Sequence, residues 1–104
     1  MARFDVHENQ NPATALIAPF LLDVQTDLLE DLATRVVVPL FRAESVGKAA
    51  SFLNPMFIVN DVPVVMSTAE QAAVPTSALG VKVQNLKDRQ EEILNALNFL
   101  LAGF

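Results

Sequence analysis

Six prolines, Pro12, Pro19, Pro39, Pro55, Pro63 and Pro75, punctuate the first three quarters of the chain, and none follows. A proline inside a helix removes a backbone donor and clashes with the preceding turn. A long helix is therefore excluded before residue 76 and allowed only after it. What the prolines leave in between is a series of short apolar runs. Arg3–His7 reads as a strand with Phe4 and Val6 on one face. The stretch from Glu8 to Pro12 is polar and turn-like. Ile17–Gln25 reads as a second strand, broken or edge-placed near Pro19. Thr34–Phe41 carries the strongest strand signal, β-branched and nearly continuous in apolar residues, as for a strand covered on both faces. Pro39 places its far end at an edge or bulge. Met56–Val59 and Val62–Ser67 form a hairpin around Asn60-Asp61, without the glycine that the favoured type I′ turn carries. Val74 opens another short extended piece, and Val81–Val83 a last short strand.

From Asn85 the period becomes helical. Leu86, Ile93, Leu94, Leu97, Leu100 and Leu101 recur at spacings of three, four and seven. Asn85 is the N-cap candidate, Asp88 suits the first turn, and Lys87 to Glu92 supply the wet face. Gly103 is the natural residue to end the helix. The expected architecture is a small antiparallel barrel or sandwich of five to seven strands, mostly β, capped by one C-terminal helix. The boundaries are about 1–84 for the barrel and about 85–102 for the helix, in a single domain.

At 104 residues the chain is long enough for one core. Apolar residues make up 52% of it, which argues against disorder. The net charge of −5 gains nothing from counterion release on phosphate, so nucleic acid is a poor direct partner. Without cysteine there are no disulfides, thiolate metal sites or cysteine nucleophiles, and a reducing cytoplasm is the expected setting. The longest apolar run, Ala15–Leu22, is too short to span a bilayer, and no targeting segment is visible.

For chemistry the sequence offers little. His7 is the one histidine and would need both an orienting carboxylate and a nucleophile in space to act as a base; the expectation is an exposed or structural side chain. Asp23, Gln25 and Asp27 share a face on an extended chain. That arrangement suits either a hard metal such as Mg²⁺ or side chains turned onto the backbone at a turn, and the turn is favoured. No phosphate-binding loop, nucleophile elbow or zinc-protease motif occurs. The chain end from Phe99 to Phe104 is apolar to its last residue, which is unusual for a terminus. Three arrangements fit: packing back into the barrel, forming a seam between two copies, or projecting as an apolar plug for another protein.

The order Leu22-Asp23-Val24-Gln25-Thr26-Asp27-Leu28-Leu29, then Arg35-Val36-Val37-Val38-Pro39-Leu40, resembles the CcdB toxins of plasmid and chromosomal toxin–antitoxin modules. The likeness continues through Ala73-Val74-Pro75 and Asn95-Ala96-Leu97-Asn98 to Gly103 and Phe104. It implies an SH3-like barrel with a C-terminal helix, assembled as a homodimer. It implies a toxin that is not an enzyme and needs no cofactor or metal: it binds the DNA gyrase A subunit and traps the cleaved-DNA complex. A CcdA-like antitoxin would neutralise it. The gyrase contacts implied are Asn98, Leu101, Ala102, Gly103 and Phe104, with Leu28 and Leu29 as a further contact region. In the best-known members a Trp stands where this chain has Ala102. An alanine supplies neither the area of an indole nor its cation–π surface. The alternative function is therefore an antitoxin-binding family member with an altered or lost target. A MazF-like endoribonuclease is a further alternative, although it requires a basic groove and the four arginines here are scattered in sequence.

Overall fold

The computed structural model describes residues 2–47 and 53–103. Seven strands are followed by one helix: β1 (Asp5–Asn9), β2 (Phe20–Asp23), β3 (Thr34–Arg42), β4 (Met56–Val59), β5 (Val62–Met66), β6 (Ala72–Pro75), β7 (Leu79–Asn85) and α1 (Gln90–Ala102). They form one antiparallel sheet in the order β4-β5-β3-β2-β1-β7, with β6 also on β3.

Register follows the alternation of side chains. Val6 faces Leu22 and Leu22 faces Val38; Phe20 faces Leu40, which faces Met66. These residues line the inner face and share one buried core with Phe57, Val59 and Val64 of the β4–β5 hairpin. α1 sets Ile93, Ala96 and Leu97 into that same core, at the i, i+3, i+4 spacing of one helix face. The sheet curls until its two ends approach. Gln84 of β7 donates from Nε2 to the Ile58 carbonyl of β4 at 3.2 Å, and Arg89 donates from Nη2 to the Met56 carbonyl at 3.2 Å. Both acceptors are on an end strand, where unpaired backbone groups invite pairing with other chains.

Several expectations are corrected. β1 starts two residues late because buried Phe4 has φ 71°, a left-handed backbone that cannot continue a strand. β3 is central rather than edge-placed at Pro39. It pairs β2 on one side, and on the other β6 (through Thr34–Val37) then β5 (through Leu40–Arg42). Pro39 falls in the gap between those two partners, where its missing N–H costs no ladder bond, and its carbonyl accepts from the Ser67 N–H at 3.1 Å. The β4–β5 hairpin closes through Asn60 and Asp61 at φ 48° and 64°. Both central residues are left-handed, as a type I′ turn requires, and Asn and Asp are the side chains besides glycine that tolerate this.

At the helix, Asn85 ends β7 instead of capping α1. Its Oδ1 accepts the Lys87 N–H at 2.8 Å and starts a 3₁₀ turn, Lys87–Arg89, that leads into α1. Ala96 replaces Leu101 in the buried stripe, because the last turn runs past the core it packs on; Leu101 is 73% exposed.

Candidate partner-binding surface

Apolar side chains reach solvent at several places, among them Leu16 and Ile17, Met56 and Ile58 of β4, and Val81 of β7; two such features hold the contact residues expected from the sequence. The first is the last turn of α1. Gly103 takes φ 80° and donates its N–H to the Phe99 carbonyl at 2.9 Å, so the helix is closed by a left-handed residue. Asn98, Leu101, Ala102 and Gly103 are exposed there together, with Phe99 at its margin. Phe104 lies outside the described residues.

The second is the β2–β3 connection. Asp27–Leu29 forms a 3₁₀ turn with no buried residue, capped by Thr26, whose Oγ1 accepts the Leu28 N–H at 3.4 Å. Leu28 is 92% exposed, and Leu29 and Leu32 are about half exposed. These leucines therefore add nothing to this chain's core.

Beneath that turn lies a polar network. Arg35, only 1% exposed, donates from Nε to Asp23 Oδ2 at 2.8 Å. Its Nη2 reaches the Gln25 carbonyl at 3.3 Å and Asp27 Oδ1 at 3.5 Å. Burial works to strip the guanidinium of its charge. The hydrogen bond and the charge of Asp23, with Asp27 behind it, prevail and hold Arg35 above its ordinary pKa. Gln25 donates to the Leu29 carbonyl at 3.0 Å and accepts the Val36 N–H at 3.1 Å. Arg3 adds its N–H to Asp27 Oδ1 at 2.8 Å and its Nε to the Val24 carbonyl at 3.0 Å. The Asp23–Gln25–Asp27 face is thus turned onto an arginine and the backbone. Among the described residues no three His, Asp or Glu stand together to hold a metal ion.

The composition of β3 carried a signal for this network. An arginine inside the most apolar strand needs a buried counter-charge, and Asp23 is the acidic residue inside the neighbouring apolar run. The favoured reading of Asp23, Gln25 and Asp27 as side chains turned onto the backbone holds for Gln25, but the sequence did not tell that it would join Leu29 to Val36.

His7 is buried. Its Nδ1 lies 3.0 Å from the Gly80 carbonyl, so that nitrogen carries the proton as donor. Among the described residues its Nε2 is enclosed without a hydrogen-bond partner. A cleft of about 560 Å³ opens on the outer face of the sheet over Leu21, Pro39, Phe41 and Val74. The amides at its rim are engaged locally: Asn9 donates to Thr14 and to the Ala18 carbonyl, and Asn11 accepts from the Ala13 N–H.

A sequence model described as CcdB protein matches residues 3–103. The chain belongs to the CcdB family. Among solved structures it is similar to the Mycobacterium tuberculosis toxin MazF-mt6, with a TM-score of 0.70 over 93% of this chain and 95% of that one, at 14% identity. That likeness establishes a shared fold: a curled antiparallel sheet with one C-terminal helix, the CcdB/MazF type. CcdB membership makes this chain a relative of toxins, and it gives the family's sequence signature a physical meaning. Asp23, Gln25, Asp27 and Arg35 are the clamp of the β2–β3 connection, while the leucines that follow are what the clamp exposes. No helix among the described residues is long and apolar enough to cross a membrane.

Proposed function

We propose that this CcdB-family chain is the toxin of a type II toxin–antitoxin module. It acts in the cytoplasm as a homodimer that binds the DNA gyrase A subunit and traps the cleaved-DNA complex, and a CcdA-like antitoxin releases it. The observation that carries this reading is the exposed apolar end of α1, closed by left-handed Gly103. A terminus of this kind gains by burial against another protein, at roughly 25 cal/mol per Å² of apolar surface. Asn98, Leu101, Ala102, Gly103 and Phe104 form the main contact of the proposal. Leu28 and Leu29 form the second, supported by their exposure on a loop fixed from beneath.

Inhibition of this kind is binding, not chemistry. The toxin needs only to fit a state of gyrase that exists while the DNA gate is open, and to stabilise it.

Ala102 favours a second reading. Loss of a central aromatic anchor can cost about 2 kcal/mol or more at an interface. A chain with alanine there would bind its antitoxin yet miss gyrase, or hit a different one. RNA cleavage is the weaker alternative. Arg35 is buried on Asp23, and Arg89 is bound to Glu92, so these two cations are engaged within the chain. Induction in the native host separates the first two readings: growth arrest relieved by co-expressed antitoxin supports the gyrase toxin, while antitoxin binding without arrest supports the altered member.

A further inference from the structure

The Leu28–Leu29 turn presents a physical problem. It is a single 3₁₀ turn without one buried side chain, held at its start by Asp27 on Arg3 and Arg35 and only weakly by packing. A segment of that kind frays, and a partner that binds it must first order it. Here the turn is tied from beneath by a buried amide. Gln25, 8% exposed, donates from Nε2 to the Leu29 carbonyl at 3.0 Å, and its Oε1 accepts the Val36 N–H at 3.1 Å. One side chain thereby links the end of the turn to the strand that follows it. Arg35 fixes Gln25 in turn, reaching its carbonyl at 3.3 Å while held by Asp23. All of this polar order serves a turn whose most prominent side chain, Leu28, is 92% exposed.

We infer that Gln25, backed by Arg35, is a positioning residue that presets the Leu28–Leu29 turn in the shape its protein partner meets. The inference rests on the proposed gyrase reading and adds to it the device that makes the second contact effective. Gln25 touches no partner itself; it removes the cost of ordering the turn on binding.

The test is Gln25→Met in the full-length chain, which keeps the length of the side chain and removes both hydrogen bonds. The thermal midpoint should fall by about 5–10 °C, which leaves the chain folded at the assay temperature. Amide hydrogen exchange at Leu28 and Leu29 should quicken about tenfold, and affinity for the purified gyrase A subunit should fall about tenfold, the scale of one or two hydrogen bonds. Adding Leu28→Ala to Gln25→Met should weaken binding no further than Leu28→Ala alone. Should Gln25→Met not fold, Gln25→Asn keeps a neutral amide that is one methylene too short to bridge the Leu29 carbonyl and the Val36 N–H, and carries the same expectations. Native exchange rates in the variant would overturn the inference. So would faster exchange with unchanged affinity, or a Leu28→Ala variant that binds as the native chain does. A native chain that itself fails to bind the A subunit would instead sink the proposed function, and the inference with it.

Discussion

At Arg35 a full positive charge is held 1% exposed against Asp23, itself without exposure. Such pairs add little net stability over apolar residues, but breaking one leaves an uncompensated charge inside. Arg35→Met should therefore cost about 3–5 kcal/mol in urea unfolding. The double variant Asp23→Asn/Arg35→Met should regain most of that loss; equal losses in the single and double variants would mean that the ion pair is not what the fold depends on. Asp5 gives the corresponding statement about pH. Burial acts to raise its pKa, but the Asn85 side chain, the Ala2 N–H and Lys82 outweigh burial and hold the carboxyl below its ordinary value of 3.8. The unfolded chain thus takes up this proton first. The stabilisation is complete above the ordinary value and is lost as pH falls through the folded one. Asp5→Asn should flatten the loss of stability in acid, below about pH 4, as read from urea midpoints across pH. An unchanged slope would assign that acid limb to other carboxylates.

Among the elements, β1 and β7 form the irregular pair, with register shifts on either side of His7. Gly80 makes this approach possible. A Cβ there would stand 2.8 Å from the Glu8 carbonyl oxygen, which is backbone and cannot swing aside. Gly80→Ala should destabilise the chain by about 1–3 kcal/mol, the usual cost of overpacking, and should disturb the His7–Gly80 hydrogen bond seen by NMR. A neutral substitution would mean that the two strands separate easily. The strands themselves were legible in the sequence because prolines and alternating apolar residues mark them locally. Thr34–Arg42 was plain from its run of valines. The hairpin around Asn60-Asp61 was legible too; what the missing glycine hid was its turn type, since Asn and Asp reach left-handed φ with little strain. The helix start was displaced because Asn85 leads into a 3₁₀ turn first, and such turns are frequent at the N-terminus of an α-helix. The Arg35–Asp23 pair was illegible in position: periodicity tells which face a side chain takes, not which charge on a neighbouring strand it meets.

On the scale of the whole molecule, the sheet wraps a core that α1 closes, and the wrapping leaves the end of α1 and the β2–β3 connection among the apolar features outside it. Helical periodicity grouped Leu101 with the apolar stripe but left its burial open, since spacing alone does not tell where the supporting core ends. The end of α1 overshoots that core, and the overshoot is what makes it available to a partner. The candidate contacts at Leu28, Leu29, Asn98, Leu101, Ala102, Gly103 and Phe104 came from the family resemblance; the structure adds the exposure of all but Phe104, which lies outside the described residues, and the clamp beneath the first two. If this end poisons gyrase by binding, plasmid cleavage by purified gyrase with ATP shows it, comparing the full chain with a chain lacking Gly103 and Phe104, each first shown to be folded by circular dichroism. Linear DNA, released by detergent and protease, is expected with the full chain alone. Linear DNA with both chains would contradict the placement of the contact, and none with either, using gyrase from the native host, would contradict the poisoning itself.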